Sequence, residues 1–178
     1  YVNRFAVRCG DHAVVCTNND SAWNTAFDLS DAGSVVSIVD AREHIDAGLL
    51  AEASARGIEV FVQHVVVTAS ARRKRVHRVE IARLHNTSLE LLGPLRPMRC
   101  DLLCMSGGWS PAVHLHSQSG ARVVYDAQRC CFVPDLAVQA ARSAGAANGT
   151  FELDFAISEG REAGKGAAAD AGFRRRVV

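Results

Sequence analysis

The stretch "AVVCTNNDSAW" (13–23) decides the fold. A β-branched apolar run (13–16) enters a polar turn and leaves as a helix. Ala22, Trp23, Ala26, Phe27 and Leu29 recur at helical spacing through 21–32, with Asp20 or Ser21 placed to cap the free N–H groups. Gly33 ends that helix, and "SVVSIVD" (34–40) follows as a continuous apolar strand of the kind buried in a parallel sheet. Together these pieces make a βαβ unit. A second helix at about 46–56, closed by Gly57, leads to "IEVFVQHVVVTAS" (58–70), the next strand material.

A strand–turn–helix aims backbone N–H groups and the positive helix end at the turn, where a pyrophosphate is stabilised. In the G-x-G-x-x-G fingerprint the glycines allow a tight turn, close backbone approach to the phosphates, and helix–strand packing. Those positions hold Thr17, Asn19 and Ala22. Ala is an accepted third residue and Asn tolerates left-handed φ, but Asn19 sets a side chain where a phosphate would lie. Asp40, at the end of the second strand, occupies the position that takes ribose hydroxyls, with Arg42 two residues on. Asn19 and Asp40 are the candidate nucleotide contacts here. A working site and an empty inherited fold both stay open.

Beyond residue 58 the pattern changes from helices to hairpins. "VVVTAS", "RVHRVEIARL" and a strand at Cys100–Met105, separated by "ARRKR" and the Pro-containing "ELLGPLRPMR", read as a β-meander. A meander attached to a doubly wound parallel sheet is the α/β architecture of FAD/NAD(P)-binding flavoproteins. After Pro111, "ARVVYDA" (121–127) reads as a strand, "VQAARSAGAANG" (138–149) as a strand plus a Gly-rich turn, and 151–172 as an Ala-rich helix.

The 178 residues carry 48% hydrophobic and 22% charged side chains with a formal net charge of +1, which gives no bulk pull toward nucleic acid or membrane. No apolar run approaches a membrane span of about 18 residues, and the N-terminus has neither a basic n-region nor an apolar h-region. A cytoplasmic location is expected. A start in mid-pattern without Met suggests a piece of a longer polypeptide. The six cysteines (9, 16, 100, 104, 130, 131) read as reduced thiols, with Cys100 and Cys104 on one strand face and Cys130–Cys131 able to bridge only under strain. His114 and His116 lack a third ligand, so no metal is expected. Arg72-Arg73-Lys74-Arg75, at a hairpin turn without interleaved aromatics, reads as a solvated loop. "GWSPA" (108–112) imitates a nucleophile elbow around Ser110, but Pro111 has no N–H to offer an oxyanion.

"YVNRFAV", "AVVCTNNDSAW", "VDARE", "CDLLCMSGGWSPAVHLHSQSG", "RSAGAANGTFEL" and "ISEGREAG" together resemble the α subunit of heterotetrameric sarcosine oxidase across nearly the whole chain. The resemblance implies an internal segment of that subunit. It also implies a parent complex that oxidatively demethylates sarcosine to glycine, with hydrogen peroxide and with formaldehyde or methylene-tetrahydrofolate as products. FAD on the β subunit, FMN at the α–β interface, tetrahydrofolate, a non-redox NAD on the α subunit, and β, γ and δ partners belong to the same implication.

Two nested nucleotide-binding domains are implied as well: a lead-in at 1–9, an inserted nucleotide-binding-like domain at 10–111, and the returning part of the interrupted domain, incomplete, at 112–178. In related flavoproteins the return carries a Gly-Asp turn before a helix, and here the turn is Gly145-Ala146. Ala146 stands where the ribityl-binding Asp would be, which weakens FAD and leaves small residues able to approach a pyrophosphate. Gly145, Ala146, Thr150, Phe151 and Leu153 are therefore the expected NAD contacts, and no catalytic residue is expected in the segment. The alternatives are an FAD- or ATP-holding segment of a related multi-subunit amino-acid or opine dehydrogenase, and a purely structural role. Cys9, Cys16, the pair at 130–131 and Asp135 depart from the family pattern.

Overall fold

A single helical turn, α1 (Val2–Phe5), leads into β1 (His12–Thr17), whose apolar run is buried on both faces. The computed structural model describes residues 1–85, 87–126, 129 and 131–173. They divide into two compact units, Tyr1–Gly108 and Trp109–Val178.

In the first unit α2 (Ser21–Asp31), β2 (Val35–Asp40), α3 (Ala47–Ala55) and β3 (Glu59–Val62) follow the sequence reading closely. Gly33 (φ 87°) closes α2, where a side chain would be strained. Asp46 caps α3 by accepting from the Gly48 and Leu49 N–H groups at 2.8 and 3.2 Å. The cap expected of Asp20 or Ser21 does not form. Asp20 sits at the N-cap of α2, but its carboxylate is drawn to Arg42 and the Ser21 hydroxyl donates to Asn19.

The apolar segment 58–70 breaks at Gln63 (φ 56°) into β3 and β4 (His64–Arg72). An antiparallel sheet then forms from β4, β5 (Arg75–Leu84) and β6 (Leu91–Arg99) in that order. This corrects the expected meander. Its third strand is the Pro-containing stretch, and the segment after it, β7 (Leu102–Ser106), returns beside β1 in the parallel sheet β3-β2-β1-β7. Two prolines made 91–99 look unlike a strand. They are tolerated because β6 is an edge strand and the ladder is irregular between Ile81 and Arg83, with Gly93 at φ 74°.

The parallel sheet is buried on both sides, which is why its strands read as unbroken apolar runs. Ala13, Val15 and Ile38 pack with Trp23, Ala26, Phe27 and Leu29 of α2 on one face. Val14, Val39 and Phe61 pack with Val79, Ile81 and Cys100 on the other, under the antiparallel sheet. Cys100 and Cys104 therefore do not share a face. Cys100 precedes β7 and joins the second cluster, while Cys104 packs on the first. Burial pushes the thiols of Cys16, Cys100 and Cys104 above their ordinary pKa, as befits core residues.

The second unit holds α4 (His114–Gln118), the antiparallel hairpin of β8 (Val123–Asp126) with β9 (Cys131–Pro134), a 3₁₀ turn at Gly145–Asn148, and α5 (Leu153–Asp170). The strand expected at the start of 138–149 is absent, since residues 138–144 are irregular. Ala and Gln there have little preference for a pleated surface, whereas 131–134 pairs Phe132 edge-on with Tyr125, centroids 5.4 Å apart. Cys130, and with it the strained pair with Cys131, lies outside the described residues.

Candidate functional site

Strand order reverses beside β1, since β2 and β3 lie on one side and β7 on the other. In such sheets a ligand binds in the crevice beyond the carboxyl ends of the strands at that switch point. Thr17, Asp40 and Ser106, aligned by register, form that edge.

The crevice is closed by the protein's own polar groups. Asn19 Nδ2 donates to Ser106 Oγ at 3.1 Å, bridging β1 and β7, while Asn19 Oδ1 accepts from Ser21 Oγ at 2.6 Å. Thr17 Oγ1 accepts from the Asn19 N–H at 3.1 Å and donates to the Asn19 carbonyl at 3.0 Å. A turn held in this way presents side chains, not bare backbone, to an incoming phosphate.

Asp40 lies where the sequence places it but faces the other way. It is 0% exposed. Oδ2 accepts from Trp23 Nε1 at 3.0 Å and Arg42 Nη2 at 2.9 Å, and Oδ1 accepts from the Arg42 N–H at 2.9 Å and Nε at 3.1 Å. Arg42 Nη1 continues to Asp20 Oδ1 at 2.7 Å. The hydrogen bond to Asp40 is the largest cause that raises the Arg42 pKa, against a smaller cost of burial. Four donors occupy the carboxylate, and both oxygens are sealed from solvent. No donor capacity of a ribose could reach it without breaking this network. Asn19 thus bonds to Ser106 of β7, while Asp40 bonds to Trp23 of α2 and to Arg42.

The second candidate turn belongs to the other unit. Gly145 (φ 62°) opens it and Gly149 (φ 81°) closes it, both in the region that favours glycine. The Thr150 N–H returns to the Gly145 carbonyl at 3.0 Å, and the Ala112 N–H donates to the Ala146 carbonyl at 3.0 Å. Glu159, from the second turn of α5 onward, reaches back. It accepts from the Gly145 N–H at 2.7 Å and from Asn148 Nδ2. Burial pushes the Glu159 carboxyl up, but hydrogen bonds from Asn148, Gly145 and Thr150 and the charge of Arg129 outweigh it and hold it below its ordinary value. Gly145, Ala146 and Thr150 are brought together in this way. Phe151 packs toward Trp109, centroids 6.3 Å apart, and Leu153 is the exposed first residue of α5.

The fit to a dinucleotide rests on backbone and size. The N-cap of α5, Glu152, makes no side-chain cap, so the first N–H groups of an 18-residue helix lack one. Ala144, Gly145, Ala146 and Ala147 are all small, and Gly145 lies against α5 at Ala156, where an added Cβ would come within 3.5 Å. Against this, Glu152 and Asp154 bring negative charge to the first turn and compete with an anion. Glu159 and Arg129, which fix the turn, carry no local signal in the sequence, because Glu159 acts across 11 and 14 residues and Arg129 across 19. Among the described residues no cluster of three metal-ligating side chains occurs, and no helix is long and apolar enough to cross a membrane.

Compared with known proteins, the chain is 40% identical over 176 residues to sarcosine oxidase subunit alpha of Corynebacterium sp. (strain P-1), and 36% identical over 176 residues to that of Corynebacterium sp. (strain U-96). The chain resembles a segment of sarcosine oxidase subunit alpha. Rhizobium meliloti (strain 1021) supplies a third relative of that name, 29% identical over 161 residues, 90% of this chain and 15% of the relative. The match covers 98% of this chain but 18% of each Corynebacterium sequence. No family model matches. Among solved structures, thioredoxin reductase of T. acidophilum superimposes with a TM-score of 0.70 at 17% identity, covering 91% of this chain and 53% of that one. A bacillithiol disulfide reductase from Staphylococcus aureus gives 0.66 at 12% identity, covering 92% and 52%. The fold is that of FAD/NAD(P)-binding flavoproteins of the thioredoxin reductase type.

Proposed function

We propose that this chain is a nucleotide-holding scaffold segment of a sarcosine oxidase α-type subunit. On this reading 10–111 is an inserted domain whose own site is closed, and 112–178 is the return of an interrupted dinucleotide-binding domain. NAD, as a non-redox group, sits against the small-residue turn at Gly145 and Ala146, flanked by Thr150, Phe151 and Leu153. The parent complex removes the N-methyl group of sarcosine oxidatively, giving glycine, hydrogen peroxide and a one-carbon unit that leaves as formaldehyde or on tetrahydrofolate. FAD and FMN supply the redox chemistry there, together with β, γ and δ partners, in the cytoplasm. This chain's residues do no bond-making; they shape and hold.

The observation that carries the reading is identity of 40% across 98% of the chain, joined to an uncapped helix start behind a turn of small residues. Ala146→Leu in the full-length subunit tests it. A larger side chain at the turn is expected to lower the nucleotide bound per subunit while leaving the fold intact. Unchanged nucleotide content would move the site elsewhere. An FAD- or ATP-holding segment of a related amino-acid or opine dehydrogenase is the second reading. The flavoprotein-type fold alone favours it, since that fold is shared by FAD-holding proteins.

A further inference from the structure

The β4–β5 hairpin closes on Arg73 and Lys74, and both lie in the left-handed region, at φ 50° and 64°. Two-residue hairpin turns of this form favour Asn-Gly or Gly-Gly, because a side chain is costly there. Register then sets Arg72 opposite Arg75 and Arg78 opposite Arg99. Like charges directly opposite one another destabilise a sheet.

The directly paired residues share the outward face in rows: Thr68, Glu80 and Pro97; Ser70, Arg78 and Arg99; Arg72 and Arg75. Arg72, Arg73, Lys74, Arg75, Arg78 and Arg99 are all exposed. Glu80 is already bound by Thr68 at 2.9 Å and by Arg78. Arg75 also lines a cavity of about 550 Å³ that contains Asp11 and Asp101. Asp11 is paired with Arg8 at 2.7 Å, and Asp101 accepts from the His12 N–H at 2.9 Å. Among the described residues Arg72, Arg73, Lys74, Arg75 and Arg99 have no ion-pair partner. The whole chain carries only +1, so these charges are a local concentration.

Strain at the tip and repulsion along the strands are retained together at one place. We propose that this hairpin face, Arg72–Arg75 with Arg78 and Arg99, is a docking surface for a partner subunit that presents clustered Asp and Glu side chains. Guanidinium groups on a pleated face suit carboxylates, each taken by two parallel N–H···O bonds. The outward neighbours Thr68, Ser70 and Pro97 offer no ring on which a base could stack, and the exposed His77 offers one, short of the successive stacking rings that a nucleic-acid groove uses, so a protein fits better than a nucleic acid. The inference rests on the reading of this chain as part of a subunit.

The test uses the full-length polypeptide that carries this sequence, co-expressed with its partner subunits, in two variants. Arg73→Asn with Lys74→Gly removes charge and relieves the turn. It is expected to raise the thermal midpoint of the polypeptide by about 2–4 °C while weakening subunit association about tenfold. Arg75→Glu with Arg99→Glu, both at exposed positions, is expected to weaken association further and to flatten its dependence on salt. Association unchanged in both variants overturns the proposal and leaves the subunit reading standing. A wild-type polypeptide that associates with no partner overturns both. Retention of duplex DNA that the variants lose, with association unchanged, assigns the face to nucleic acid and overturns the proposal.

Discussion

Trp23 Nε1 donates to Asp40 Oδ2 at 3.0 Å, tying helix α2 to the end of strand β2 through a carboxylate that is 0% exposed. The same two elements frame a ribose-binding carboxylate in a dinucleotide site. Here an indole and a guanidinium take the place of the sugar. The first unit keeps the strand–helix–strand frame of a nucleotide-binding fold and uses its acidic residue as a structural tie.

Asp40→Asn leaves Arg42 without its main partner and an amide among donors. A cost of about 3–5 kcal/mol in urea unfolding is expected, as for other buried pairs broken on one side. Trp23→Phe removes one bond to a charged acceptor and should cost about 1.5–3 kcal/mol. Because both act on one carboxylate, the double variant should cost less than the sum. Additive effects would mean the two bonds are independent.

Asn19→Gly removes the bridge from β1 to β7 and restores a glycine where the fingerprint has one. Calorimetric titration with NAD is nevertheless expected to show no binding to the first unit, since Asp40 stays committed to Trp23 and Arg42. A gain of NAD affinity that Asp40→Asn abolishes would show the crevice to be a latent working site.

Glu159 is held below its ordinary pKa, so its contribution to the turn at 145–150 is present above the ordinary carboxyl value of about 4.3 and fades as pH falls through the lower folded-state value. Amide exchange at Gly145, whose N–H donates to Glu159, reads this directly. Protection should hold at about pH 6 and decline below about pH 4. Glu159→Gln should lower protection at all pH values and remove the slope. An acid-independent wild type would place the hold on the turn elsewhere.

The βαβ unit was legible because a parallel sheet buried on both faces writes itself as apolar runs, and α2 shows its buried face at Trp23, Phe27 and Leu29. Strand β6 was hidden by Pro94 and Pro97, whose tolerance at an edge depends on which strand lies outermost, a tertiary fact. Asp40 was correctly placed at the edge of the sheet. Its direction was illegible, because it depends on an indole 17 residues away and on how Arg42 folds back. The turn at Gly145-Ala146 was legible from its glycines and small residues. Its support by Glu159 was not, since a carboxylate 14 residues along a helix carries no mark of its partner. The hairpin turn at Arg72–Arg75 is legible in the sequence; that cations face one another across its strands is not, because it follows from register.

The central claim is that this segment serves a dinucleotide site of a sarcosine oxidase α-type subunit. The most direct measurement is to denature the full-length subunit that carries this sequence and to identify and count the nucleotide released. The account predicts NAD, near one equivalent, and its loss in Ala146→Leu. Release of FAD or ATP from this subunit, or of no nucleotide at all, would contradict it.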